Sequence, residues 1–151
     1  MPDRAANNRT IVVLALDYGL KRIGVASGDT LTRAAHPRTT LANGPKGPDW
    51  PALERVLADT RPARIVVGEP YNADGSQSPL TGDARRFAAE LAKRSGLPID
   101  LVDERWSSQD AEERLREQRA RGERARRVTR EAVDAAAAAV ILERWFEKQG
   151  T

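Results

Sequence analysis

Acidic residues follow three short apolar segments of the chain, at the positions where strands of a sheet would end. Asp17 follows the first segment, Glu69 follows the second, and Asp103 with Glu104 follows the third. Ligands of open α/β sheets bind outside the carboxyl ends of the parallel strands. If the three strands are neighbours in one sheet, these carboxylates therefore converge on a common site.

Asp134 is a further candidate, because it lies in an alanine-rich helical segment where an acid is an unusual choice for an apolar face. Clustered carboxylates repel one another unless a cation compensates their charge. Oxygen ligands without His or Cys favour Mg²⁺ or Mn²⁺, and two such ions can activate water and stabilise the leaving oxygen in phosphodiester cleavage. Each acid taken singly could equally be a solvated surface residue or a helix cap.

The composition excludes several other kinds of chemistry. The chain has 151 residues, no cysteine and one histidine, His36. It therefore has no disulfide framework, no thiolate zinc site and no cysteine nucleophile. A chain of this length corresponds to about one domain. Carboxylates with a hard divalent ion remain as the available catalytic chemistry.

The positive charge of the chain is concentrated in one segment. The net charge is only +3, yet residues 114–130 contain eight arginines and two glutamates. The segment lies between the third acidic motif and Asp134, so we expect it to flank the carboxylates and bind nucleic-acid phosphates. The alternative is a solvated helix with ion pairs four residues apart. The expected phosphate-binding residues here are Arg119, Arg121, Arg124, Arg126, Arg127 and Arg130.

Periodicity and turn residues predict the elements that would position these side chains. Apolar and β-branched runs predict strands at residues 11–16, 22–27, 35–41, 64–67 and 98–102. Residues 43–51 are rich in Gly and Pro and are predicted to be a loop. Helices are predicted after the N-cap candidate Asp49, across residues 84–92, around Ala111 and Leu115, and from about 130 to 148. This order is typical of a mixed α/β sheet with helices on its faces.

The domain organisation is expected to be simple. No segment reaches about 18 consecutive apolar residues, so no transmembrane helix is predicted. We expect residues 1–9 to be a disordered lead without the apolar region of a signal peptide. Residues 10–148 are expected to form a single domain, with 149–151 as a tail. A cytoplasmic location is the corresponding expectation.

Four segments together resemble the YqgF (RuvX) family, whose members are described as Holliday junction resolvases and pre-16S rRNA nucleases. In family order they are LDYGLKRIGVA (16–26), VVGEPYNADGS (66–76), DERWSS (103–108) and VDAAA (133–137). The resemblance spans about residues 10–148. It implies an α/β fold of the RNase H-like, RuvC type, with a mixed five-stranded sheet in the order 3-2-1-4-5 and helices on both faces.

The resemblance also implies roles for individual residues. Asp17 would be the central ligand of Mg²⁺ or Mn²⁺, with two ions expected, and the acids Asp103 and Glu104 together with Asp134 would complete the site. Glu69 departs from the family, in which this position is usually aliphatic, so it is either an extra metal ligand or a surface residue beside a loop. The further residues expected to contact nucleic acid are Lys21, Arg22 and Arg105.

The implied activity is metal-dependent hydrolysis of phosphodiester bonds in structured nucleic acid. The substrate is either a four-way DNA junction in recombination and repair or the 5′ end of pre-16S rRNA. Paired nicks in a symmetric junction require a symmetric dimer, whereas a monomer can process rRNA. The alternative function is a non-catalytic RNA- or ribosome-binding module. A phosphotransferase is disfavoured, because the chain has no Gly-x-x-x-x-Gly-Lys-Ser/Thr loop.

Overall fold

The computed structural model describes residues 9–72, 74–103 and 130–149, with side chains from residue 132 onward in the last range. The strands are β1 (Val12–Tyr18), β2 (Arg22–Asp29), β3 (Ala35–Gly44), β4 (Gly47–Pro48), β5 (Arg64–Glu69) and β6 (Ile99–Asp103). The described helices are α1 (Trp50–Thr60), α2 (Pro79–Ser95) and α3 (Arg130–Gln149). The helix predicted around Ala111 and Leu115 lies outside the described residues.

The strands form one mixed sheet in the order β4-β3-β2-β1-β5-β6. Neighbours from β4 to β1 are antiparallel, whereas β5 is parallel to β1 and β6 is parallel to β5. Without β4 the order is β3-β2-β1-β5-β6. When these five strands are numbered along the chain, this is the predicted order 3-2-1-4-5, so the predicted fold is confirmed. The strands that carry Asp17, Glu69 and Asp103 at or near their carboxyl ends lie side by side in the order β1-β5-β6, which is the condition for these ends to meet.

Strand β4 is the one difference in strand number, since residues 43–51 were predicted to be a loop. Gly47 has a φ of 100°, a conformation that glycine adopts without steric cost. The chain therefore reverses there, and Asn43 and Gly44 pair with Pro48 and Gly47. The result is a two-residue strand at the edge of the sheet.

Different helices cover the two faces of the sheet. On the α2 face, Leu14, Leu16 and Val67 pack in a buried cluster with side chains from α1 and α2. On the α3 face, Val13, Ala15 and Val66 pack with the last turns of α3. Since successive side chains of a strand point to opposite faces, the position of a residue in its strand decides which face carries it. Burial of each large aliphatic side chain stabilises the fold by about 1.5–3 kcal/mol.

The helix ends follow the predicted signals. Asp49 caps α1 by accepting a hydrogen bond on Oδ1 from the Ala52 N–H at 3.1 Å, and α2 ends at Gly96, whose φ is 70°. Helix α3 packs closely on the sheet because Ala138 and Ala139 are small enough to contact Ala26 of β2. Among the residues of the described ranges, no helix has the length and apolar character needed to cross a bilayer.

Candidate active site

Asp17 lies one residue from the end of β1, near the middle of the sheet, and is half-buried. Its partners in register are Gly24 on β2 and Gly68 on β5. By strand alternation Asp17 shares the α3 face with Val13 and Ala15. The carboxylate is thus flanked by two residues that have no side chain to cover it.

Helix α3 approaches the sheet most closely beside Asp17. A Cβ atom added to Gly24 would overlap the backbone carbonyl of Asp134. Because Gly24 is the register partner of Asp17, this contact brings the Asp134 segment to the part of the α3 face that carries Asp17. The structure therefore places two of the predicted ligands, from opposite ends of the chain, on one face.

The Asp134 carboxylate forms an ion pair with Arg22. Arg22 Nε donates to Asp134 Oδ2 at 2.5 Å, and the two side chains are 28% and 25% exposed. Arg22 is the first residue of β2 and lies on the same face as Gly24 by alternation. The guanidinium offsets part of the repulsion between carboxylates gathered on this face.

The turn between β1 and β2 (residues 19–21, the β1–β2 turn) is fixed by a residue that sequence reasoning missed. Asn43 is 5% exposed. Its Nδ2 donates to the Gly19 carbonyl at 2.6 Å, and its backbone N–H donates to the Lys21 carbonyl at 2.9 Å. Asn43 therefore positions the turn that presents Lys21 to solvent. A turn-forming asparagine in a Gly/Pro-rich stretch gives no sign of partners more than 20 residues earlier.

Replacement of Asn43 tests the contribution of these hydrogen bonds to stability. Asn43→Ala is expected to lower the free energy of unfolding by about 1–3 kcal/mol, because the Gly19 carbonyl loses a buried donor. Urea unfolding followed by circular dichroism measures the change. Asn72→Ala is the matched control, since Asn72 is exposed and its side-chain amide donates to the exposed Ser76 hydroxyl at 3.0 Å and the Gln77 carbonyl at 3.4 Å. Equal stability of the two variants would contradict the role given to Asn43.

Glu69 lies on the opposite face from Asp17. It follows Ile65 and Val67 by strand alternation, so it points to the α2 face. Its carboxylate pairs with Nε of Arg85 on α2, and Arg85 Nη2 also donates to the Tyr71 hydroxyl at 2.9 Å. Hydrogen bonds to Glu69 and Tyr71 raise the pKa of Arg85. The two alternatives for Glu69 were an extra metal ligand and a residue beside a loop, and the geometry favours the residue beside a loop.

Glu69→Gln is accordingly expected to change cleavage rate and metal affinity by less than about threefold, the effect usual for a substitution away from a site, because the Glu69 side chain, 12% exposed, lies on the opposite face from Asp17. Glutamine keeps a side-chain oxygen that can accept from Arg85. Initial rates and isothermal titration with Mn²⁺ measure the two quantities, with Asp17→Asn as the comparison in both. A loss of two orders of magnitude in either quantity would make Glu69 a ligand.

Asp103 is the last residue of β6 and pairs in register with Glu69. Alternation therefore assigns it to the α2 face, and Arg144 of α3 donates to its backbone carbonyl at 3.3 Å. Glu104 and Arg105 lie outside the described residues, and only the backbone of Arg130 is described. The other predicted phosphate contacts outside the described residues are Arg119, Arg121, Arg124, Arg126 and Arg127.

Two acids are the candidate metal ligands among the described residues. No group of three or more Asp, Glu or His side chains converges within residues 9–72, 74–103 and 132–149. The two acids that share the α3 face, Asp17 and Asp134, are oxygen donors of the kind that Mg²⁺ and Mn²⁺ prefer. The donor chemistry thus fits a hard divalent ion.

A family model matches almost the whole chain. The model described as RuvX, Holliday junction resolvase, matches residues 11–148. The chain belongs to the RuvX family. The match covers the three strands that carry the acids at their ends and the helix that carries Asp134, and it confirms the family predicted from the four motifs.

Two relatives match nearly the whole chain. A protein of Xanthomonas campestris pv. campestris (strain B100), named "Putative pre-16S rRNA nuclease", is 44% identical over 146 residues, covering 97% of this chain and 94% of its own. A protein of the same name from Edwardsiella ictaluri (strain 93-146) is 45% identical over 143 residues, covering 95% and 98%. The expected nuclease class is confirmed by the family and these relatives together.

Solved structures share the fold. Thermus thermophilus RuvC in complex with a Holliday junction substrate aligns with a TM-score of 0.55 and 22% identity, covering 93% of this chain and 97% of that one. The yeast mitochondrial Holliday junction resolvase Ydc2 aligns with a TM-score of 0.53 and 13% identity, covering 91% and 78%. At these identities the alignments establish the RuvC-like fold.

Proposed function

We propose that this RuvX protein is a divalent-metal-dependent nuclease that cleaves structured RNA, with the 5′ end of pre-16S rRNA as its substrate. The observation that carries the proposal is the placement of Asp17 and Asp134 on one face of the sheet, where Gly24 lets α3 approach β2. Relatives that share 44–45% of their residues over almost the whole chain carry the rRNA nuclease name. Resolution of four-way DNA junctions is the second candidate, favoured by the family description.

The proposed metal ligands are Asp17, Asp134 and Glu104. Of the two adjacent acids that begin the motif DERWSS (103–108), Asp103 pairs in register with Glu69, on the α2 face. Glu104, the other acid of this pair, lies outside the described residues and is the proposed partner of Asp17. When bound, Mg²⁺ or Mn²⁺ would activate a water molecule and stabilise the leaving oxygen.

The basic residues would bind and orient the substrate. Lys21 is exposed on the β1–β2 turn, and Arg22 balances the charge of Asp134. The arginines of residues 105–130 are proposed to contact phosphates on either side of the cleaved bond. Phosphate contacts release counterions, so binding should weaken steeply with salt concentration.

Parallel time courses test the choice of substrate. The purified chain is incubated with a 5′-extended 16S rRNA fragment and with a labelled four-way junction, each with Mg²⁺, Mn²⁺ or EDTA. Metal-dependent shortening of the rRNA alone supports the proposal. Paired nicks in the junction by a dimer, as measured by light scattering, favour the resolvase. Tight RNA binding without cleavage at any metal concentration would favour the non-catalytic alternative.

A further inference from the structure

Leu20 is an exposed apolar side chain close in sequence to the proposed metal ligand Asp17. It is 70% exposed and lies on the β1–β2 turn, next to Lys21 and three residues from Asp17. Three residues span at most about 11 Å when fully extended. Leu20 is therefore within reach of any substrate whose phosphate lies at Asp17.

The turn that carries Leu20 is held from both sides. The Gly19 N–H donates to the Arg22 carbonyl at 3.0 Å, and Asn43 bonds the carbonyls of Gly19 and Lys21. With the backbone fixed by these bonds, the turn cannot fold over to bury Leu20 without breaking them. Its side chain therefore remains available to a partner.

We propose that Leu20 is an apolar wedge that packs against an unstacked nucleobase of the substrate, while Lys21 contacts the adjacent phosphate. In a nucleic acid the sugar and phosphate are polar, so an aliphatic side chain gains most by contact with the face of a base. Apolar side chains inserted between base steps act in this way in proteins that kink DNA. The inference rests on the proposed nuclease function and specifies which structural feature of the substrate the site selects.

Leu31 provides a matched control elsewhere on the chain. It is 76% exposed and also lies in a hydrogen-bonded turn, where the Asp29 carboxylate accepts from the Leu31 and Thr32 N–H groups at 3.0 and 2.8 Å. That turn follows β2, whereas the β1–β2 turn precedes it. Leu31 therefore has the same residue type and exposure at the end of the sheet away from Asp17.

The experiment measures base unstacking and binding without cleavage. Leu20→Ala and Leu31→Ala are each introduced into the Asp17→Asn chain. They are titrated into RNA carrying 2-aminopurine at a helix–single-strand boundary, and into a fully paired duplex of equal length. Leu20→Ala is expected to abolish the rise in 2-aminopurine fluorescence and weaken binding to the boundary substrate about tenfold. Binding to the duplex and all properties of Leu31→Ala are expected to be unchanged. Leu20→Met should restore the signal, since it restores an apolar side chain of similar length.

Each other outcome overturns a defined part of the proposal. An unchanged fluorescence response in Leu20→Ala, or equal weakening on the duplex, removes the wedge but leaves the nuclease assignment intact. A lower molecular mass of Leu20→Ala by light scattering would assign Leu20 to a contact between two copies of the chain. Absence of any nucleic-acid binding by the Asp17→Asn chain, together with no cleavage by the wild type, would instead overturn the proposed function.

Discussion

Asp17→Asn is expected to lower metal-dependent cleavage at least about a hundredfold while the protein remains folded. The substitution removes the charge of the proposed central ligand, and a bound metal ion contributes several kcal/mol to phosphodiester cleavage, where each 1.36 kcal/mol corresponds to tenfold in rate. Asparagine has nearly the shape of aspartate, and Asp17 is flanked in register by Gly24 and Gly68. We therefore expect no steric conflict at this position.

Initial cleavage rates across a Mg²⁺ and Mn²⁺ series measure the effect, with thermal unfolding as the check on folding. Asp49→Asn is the matched control, because it makes the same chemical change at the N-cap of α1, where asparagine caps as well as aspartate. It should retain the full rate. Undiminished, metal-dependent cleavage by purified Asp17→Asn would remove Asp17 from the site.

The resemblance to the RuvX family implied which strands are neighbours, but the sequence did not predict the face on which each acid lies. The apolar runs were predicted to end at Leu16 and Val67, with the acids in the turns that follow. In the structure β1 continues to Tyr18 and β5 to Glu69, because their ladders with neighbouring strands extend that far. Side chains therefore still alternate between the two faces at the acids, and this alternation places Asp17 and Glu69 on opposite faces of the sheet.

Contacts between distant residues were also beyond the reach of sequence patterns. Arg22 and Asp134 were predicted to serve phosphate and metal separately, yet they are paired with each other across more than a hundred positions of the chain. From the sequence alone, Arg85 is a polar residue of a predicted amphipathic helix. Its partner Glu69 belongs to a different element, the strand β5. Period and turn signals report local geometry, whereas these pairs depend on how α2 and α3 pack on the sheet.

Gly24→Ala is expected to lower the free energy of unfolding by about 1–3 kcal/mol, the usual cost of overpacking, and to reduce cleavage as well. The added methyl group would overlap the backbone carbonyl of Asp134, and a backbone atom cannot rotate away as a side chain can. Helix α3 would have to move off β2, which displaces Asp134 from the face that carries Asp17. The two effects therefore have one cause.

Gly44→Ala separates this cause from the general effects of replacing glycine in a strand. Gly44 lies in β3, and a Cβ atom there would meet no heavy atom within 4 Å. The Gly44→Ala variant is expected to unfold at the same urea concentration as the wild type or at a slightly higher one, since alanine restricts the unfolded chain. Cleavage by Gly24→Ala should be measured at a temperature well below the midpoint of its thermal unfolding, where almost all molecules are folded. If its rate there equals that of Gly44→Ala, the approach of α3 at Gly24 does not position Asp134 for catalysis.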